Sequence, residues 1–365
     1  MSAPFGRFFL PGPTEVQPEI LAAQNRPMMG HRGAATEALL AAIAPELRAA
    51  FRTANPVMIA AASATGFMEA AIRNGVRQKV LCLVNGAFSR RFATIAQACG
   101  KQVHVCEIPL GETAEAGQVR VLLQETGADA VTIVHSESAT GALAPLAEVA
   151  KAVREFDDVL LLVDAVTSLA ATPVETDAWG LDFVLTGSQK ALALPPGLAL
   201  GVASARLLER AQTLPGRGIY FDLVPYDAEI RKHQTPYTPA LSLLYALDAQ
   251  MKRIAAHGGI EARWARHQAM QQRVERWVAE RVGTLGVDFL PKAGRRSWTV
   301  SCLKVPAGGA LTGGALAKKM EARDFTIGAG YKALKDSTFR IGHMGDHTVE
   351  GLERLLEVLE EVLRG

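Results

Sequence analysis

The sequence predicts an α/β fold, with a mostly parallel mixed sheet flanked by helices and a smaller C-terminal α+β unit. Three observations carry that expectation. Short apolar runs alternate with helical patterns from Val57 to Ala203, and strands alternating with helices build parallel sheets covered on both faces. One run, Val159–Val163, is apolar at every position, as in a strand buried on both faces. After Pro225 the pattern changes to two long helices followed by short mixed elements.

Residues 1–15 read as an extended arm punctuated by Pro11-Gly12-Pro13, with a helix starting near Thr14 or Pro18. Met28–Gly33 reads as a loop. Thr36–Arg52 carries Leu39, Leu40, Ile43, Leu47 and Phe51 at helical spacing, and Pro45 is expected to interrupt it. Strands are expected at Val57–Ala61, Val80–Val84, Val103–Ile108, Ala130–His135, Val159–Asp164, Phe183–Thr186 and Leu198–Ala203. Ala240–Ala256 and Ile260–Val282 are helical patterns separated by His257-Gly258-Gly259, a helix-stop signal. The remainder reads as strand Trp298–Val305, helix Gly314–Arg323, strands Phe325–Ile327 and Thr338–Ile341, and helix Thr348–Leu363. The expected division is an arm over 1–15, a large domain over 16–257 and a small domain over 258–365.

The totals exclude several functions. The chain has 365 residues, 49% of them hydrophobic, and a net charge of +2. That is ample material for a core, and the near-neutral balance gives no electrostatic footprint for nucleic acid or an anionic membrane. The longest uncharged stretch, Thr53–Met68, contains Pro and Gly and is too short to span a bilayer. No basic segment followed by an apolar core opens the chain, so no signal peptide is expected. Cys82, Cys99, Cys106 and Cys302 lack CxxC spacing. They read as buried thiols in a reducing compartment, with no metal site, and the expected location is cytoplasmic.

Chemistry gathers at the ends of the expected strands. Asp164 closes the run Val159–Val163, and Lys190 follows Leu181–Leu185 in Thr186-Gly187-Ser188-Gln189-Lys190. Open α/β sheets bind ligands at that rim. A lysine there can be an ordinary solvated charge. Paired with an aspartate at a neighbouring strand end, it matches pyridoxal phosphate chemistry: the lysine forms a Schiff base, and the acid keeps the pyridine nitrogen protonated. Ser63-Ala64-Thr65-Gly66 lies between a strand and a helix start, where backbone N–H groups can meet an anion or simply make a capped turn. Phe88 follows Asn85-Gly86 and could stack on a planar ring or belong to the core. Ser138, after another strand, could donate to a ring hydroxyl or cap a helix. Arg340, between Phe339 and Ile341, needs a partner if buried: a substrate carboxylate or a structural ion pair. His31-Arg32 could bind an anion or be a solvated loop.

Together these residues resemble the class V pyridoxal-phosphate aminotransferases over nearly the whole chain. The motifs that carry the resemblance are Pro11-Gly12-Pro13-Thr14, Gly30-His31-Arg32, Ser63–Ala70, Asn85–Phe88, Glu137–Gly141, Val163–Ser168, Gly187–Lys190 with Pro195-Pro196-Gly197, and Arg340-Ile341-Gly342. Within the class the chain looks most like the alanine–glyoxylate, serine–glyoxylate and serine–pyruvate transaminases. The resemblance implies fold type I, pyridoxal 5'-phosphate as cofactor, Lys190 as the Schiff-base lysine and Asp164 on the pyridine nitrogen. It also implies Phe88 on the ring, Ser138 at the ring hydroxyl, and Ser63, Ala64, Thr65 and Gln189 around the phosphate. Thr238 matches the residue that reaches the phosphate from the partner subunit, which implies a homodimer with shared sites. Arg340 would hold the α-carboxylate, with His31 as a further substrate contact.

Two departures refine the expected reaction. Phe88 stands where many relatives have Trp. The loop 63–66 lacks the arginine by which bacterial phosphoserine transaminases grip the substrate phosphate. The expected activity is therefore ping-pong transfer of the amino group of alanine or serine to glyoxylate or pyruvate. Phosphoserine or 2-aminoethylphosphonate transamination is the alternative. A lyase or desulfurase is disfavoured, because Gln189 precedes Lys190 and Cys302 sits in a strand pattern.

Overall fold

The computed structural model describes residues 5–306 and 311–365. Its large sheet has seven strands: β1 Met58–Ala60, β2 Lys79–Val84, β3 Gln102–Glu107, β4 Ala130–Val134, β5 Leu160–Asp164, β6 Phe183–Gly187 and β7 Ala199–Ala203. They lie in the order β1-β7-β6-β5-β4-β2-β3. Every neighbouring pair is parallel except the two made by β7, which runs antiparallel to β1 and β6. The connection explains the exception. A parallel return needs a crossover long enough for a helix, and residues 188–198 between β6 and β7 contain no helix. That connection carries Lys190.

Alternation sends successive side chains to opposite faces of the sheet. In β5, Leu161 and Val163 join one buried cluster, with Leu83, Ile133 and Leu200. Leu160 and Leu162 join the other, with Met68, Val84 and Phe183. Both faces are covered, and that is why the run is apolar throughout. Asp164 follows the parity of Leu160 and Leu162, so it faces the side covered by helix Ala64–Gly75.

A second sheet of five strands pairs Phe8–Phe9, Thr326–Ala329, Thr338–Gly342, Val300–Lys304 and Asp288–Phe289 in that order. Helices Gly313–Glu321 and Val349–Arg364 and the helix Gly259–Leu285 supply Leu316, Leu355 and Trp277 to its core. The N-terminal segment belongs to this sheet, since Phe8 and Phe9 run parallel to Thr326 and Ile327.

One expectation is corrected. Helix Ala34–Phe51 continues through Pro45. Pro45 is exposed, so its ring stands on the solvent side of the helix. Five large apolar side chains of this helix, Leu39, Leu40, Ile43, Leu47 and Phe51, are buried. At about 1.5–3 kcal/mol each, they outweigh the roughly 3 kcal/mol that an interior proline costs. Among the described residues no helix is long and apolar enough to cross a membrane, and no group of three or more His, Cys, Asp or Glu could hold a metal.

Candidate active site

A cavity of about 170 Å³ opens at the carboxyl ends of β4, β5 and β6. Ser63, Ala64, Thr65, Phe88, Ser138, Asp164, Gln189 and Lys190 all line it. A larger cavity of about 250 Å³, beside Leu47 and Ile230, is lined by no carboxylate and no lysine.

Asp164 ends β5 and is 4% exposed. Its Oδ1 accepts the Val166 N–H at 2.8 Å, and among the described residues no cation forms an ion pair with it. Burial is the main reason its carboxyl is pushed up to about 7, with Glu137 adding repulsion against the opposing pull of Lys190. Lys190 is the only lysine with a buried side chain among the described residues. Burial, reinforced by the Arg340 charge, lowers its ammonium to about 8. Its Nζ donates to the Pro11 carbonyl. Gly12, at φ 109°, leaves the room: a Cβ there would sit 2.5 Å from Nζ.

Also in the cavity wall, helix Ala64–Gly75 starts at Ser63 with no side-chain cap. Its first N–H groups are therefore available to an anion, together with the positive end of the helix dipole. Phe88 is half-buried in the cavity wall. Its ring stacks on Tyr331 at 5.8 Å and 17°, and Lys190 Nζ lies 6.0 Å from its centroid. The Ser138 and Thr167 hydroxyls hydrogen-bond at 2.7 Å.

Arg340 stands beside the cavity instead of lining it. Its Nε donates to the Ala329 carbonyl at 3.0 Å and one terminal nitrogen to the Ser138 carbonyl at 3.1 Å. Its guanidinium carbon is 5.5 Å from the Tyr331 centroid. Among the described residues no carboxylate pairs with it, so the structural ion pair considered from sequence is absent. Two further expected residues lie outside the lining of this cavity within one chain. His31 is a half-buried turn residue, and Thr238 is exposed on the segment before helix Leu241–Ala256.

Sequence reasoning passed over Arg91. It lines the cavity, places its guanidinium 5.1 Å from the Phe88 centroid, and comes within 3.4 Å of Thr65 Oγ1. The signal was available: three residues along a helix share a face, and helix Ala87–Ala98 carries both Phe88 and Arg91. Thr167 was also missed as a hydroxyl partner, although it lies in a motif already singled out.

Among the described residues, the doubly covered α/β sheet buries one lysine at its carboxyl end, in the same cavity wall as a carboxylate with no ion-pair partner, an arrangement suited to covalent chemistry at an amine. Residues 52–306 match the family model described as aminotransferase class-V, and the chain belongs to that family. It is 36% identical over 345 residues to an uncharacterized aminotransferase of Methanocaldococcus jannaschii, covering 92% of this chain and 87% of that one. It is 31% identical to an L-aspartate–glyoxylate aminotransferase of Paracoccus denitrificans, covering 93% and 86%. The solved alanine–glyoxylate aminotransferase of a Nostoc species superimposes with a TM-score of 0.90 at 32% identity, covering 100% and 97%.

Proposed function

We propose that this aminotransferase uses pyridoxal 5'-phosphate to move the amino group of a small L-amino acid, alanine or serine, to glyoxylate or pyruvate in two alternating half-reactions. The observation that carries the reading is the meeting of Lys190 and Asp164 in the wall of one cavity.

The residues present fit the cofactor. Asp164 is a buried carboxylate lacking a cation, which a protonated ring nitrogen would supply. The uncapped helix start at Ala64 and Thr65, with Ser63 and Gln189 beside it, suits a phosphate. Phe88 offers an aromatic face, and the Ser138–Thr167 pair offers a hydroxyl donor. Bound there, pyridoxal phosphate supplies an aldehyde for amine condensation and a ring that takes up the electron pair left when the α-proton departs.

The remaining work falls to the chain. Lys190, lowered to about 8, is partly unprotonated near neutral pH, so its Nζ can accept a proton and return it. The Pro11 carbonyl and the space beside Gly12 hold Nζ in place. Arg340 has two guanidinium nitrogens fixed on carbonyls, which leaves its charge and third nitrogen for an α-carboxylate. Thr238, exposed on its own chain, is assigned to the partner's cavity in a cytoplasmic homodimer, and His31 to the substrate entrance.

Glyoxylate is named for both the Paracoccus and the Nostoc proteins, whereas their donors differ. That favours glyoxylate as acceptor. A second reading takes a donor that presents a phosphate, a phosphonate or a side-chain carboxylate: phosphoserine, 2-aminoethylphosphonate or aspartate. Arg91 favours it, because it brings to Thr65 the cation that loop 63–66 lacks. A desulfurase is disfavoured by Cys302, whose thiol burial pushes up to about 11 inside strand Val300–Lys304. The test is a panel of these donors against glyoxylate, pyruvate and 2-oxoglutarate. Alanine or serine with glyoxylate should give the highest kcat/KM. One of those phosphate, phosphonate or dicarboxylate donors exceeding them tenfold, or ammonia released without an acceptor, refutes the assignment.

A further inference from the structure

Glu137 is wholly buried, yet among the described residues it has no cationic partner. Its carboxylate instead accepts four donors. The Phe88 N–H lies 3.1 Å from Oε2, the Ser89 N–H 2.9 Å and the Ser89 hydroxyl 3.0 Å from the same oxygen. The Ala139 N–H reaches Oε1 at 3.1 Å. Phe88 and Ser89 open helix Ala87–Ala98, whose N-cap, Gly86, has no side chain to offer. The carboxylate thus does from a distant turn what a capping residue does locally. Gly86 is part of the device, because a Cβ at that position would overlap the Glu137 side chain.

The same carboxylate joins three site elements. It fixes the backbone of Phe88, whose ring walls the cavity. Through Ala139 it closes the turn that carries Ser138. The Ser138 carbonyl in turn accepts from Arg340 at 3.1 Å. A buried group with so many converging donors is costly to replace by one that cannot accept them all.

We infer that Glu137 is a positioning residue that sets the stacking ring at Phe88 for the cofactor. The inference rests on the cofactor reading above. Glu137→Gln keeps the size of the side chain but turns an amide N–H₂ toward N–H donors, so at least one donor loses its acceptor. The experiment titrates cofactor-free protein with pyridoxal phosphate and follows the absorbance change, in wild type, E137Q, F88A and the double variant. E137Q should retain the circular dichroism of the wild type and bind the cofactor about 10-fold more weakly. In the F88A background the same change should weaken binding less than about 2-fold, because the ring it positions is already gone. Ser89→Ala removes one donor and should weaken binding about 2–5-fold; it carries the test if E137Q does not fold.

Equal losses from E137Q with and without Phe88 would assign Glu137 a general structural role and overturn the inference. So would an E137Q or, failing that, an S89A protein with wild-type affinity, while the cofactor reading survived. A wild-type chain that takes up no cofactor overturns both.

Discussion

Asp164→Asn should stabilise the cofactor-free protein while disabling it. In the folded chain Asp164 gives up its proton near pH 7, whereas an unfolded aspartate does so near 4. Each tenfold difference corresponds to about 1.4 kcal/mol, so ionising this carboxyl in the empty fold costs about 4 kcal/mol. The sign follows from linkage. Between about pH 4 and 7 the unfolded chain has released the proton that the folded chain still holds, so wild-type stability falls with rising pH. Above about pH 7 the whole cost is present. Asparagine carries no charge, and its Oδ1 can still accept the Val166 N–H. Lys190, lowered to about 8, is mostly neutral at pH 9, so little attraction to the carboxylate is lost there. Urea midpoints from pH 4 to 9, read by circular dichroism on cofactor-free protein, should converge at pH 4 and diverge in favour of D164N by up to about 4 kcal/mol at pH 9. Added pyridoxal phosphate should reverse the order, because it stabilises the protein in proportion to its affinity. A gap that does not change with pH, or a wild type more stable than D164N at pH 9, refutes the claim that this carboxylate is held unpaired for a ligand.

Other outcomes follow from the same geometry. Arg340→Ala should raise KM for the amino donor about 10–100-fold, the loss of a charged hydrogen bond, with cofactor affinity unchanged. Cofactor content and thermal stability falling together would instead mark Arg340 as structural. Gly12→Ala places a Cβ against Lys190 at a φ of 109°, so kcat should fall at least about 100-fold, a loss of some 2.7 kcal/mol. Wild-type kcat in G12A would show that Lys190 needs no such space.

The large sheet was legible because its physics is local. Runs such as Val80–Val84 and Val159–Val163 announce strands covered on both faces, and all seven strands stand within a residue or two of their expected positions. Lys190 and Asp164 were legible as residue types at strand ends. Pairings across the chain were not. Phe8–Phe9 is too short to register as a strand, and its partner Thr326–Ile327 is remote in sequence. Pro45 misled because the burial of Leu39, Leu40, Ile43, Leu47 and Phe51, which outweighs what the proline costs, is a tertiary property. Arg91 and Glu137 were passed over for a related reason. One looks like a surface charge on a polar helix and the other like an acid in a turn, and only packing brings them to Thr65 and Phe88.

The central claim is that the amine at position 190 is the chain's attachment point for the cofactor aldehyde. Borohydride reduction of the pyridoxal phosphate-loaded protein, followed by proteolysis and mass spectrometry, tests it most directly. The account predicts one pyridoxyl-phosphate adduct, on the peptide containing Lys190, and none in Lys190→Ala. An adduct at another lysine, or an unmodified Lys190 in protein that has bound the cofactor, would contradict it.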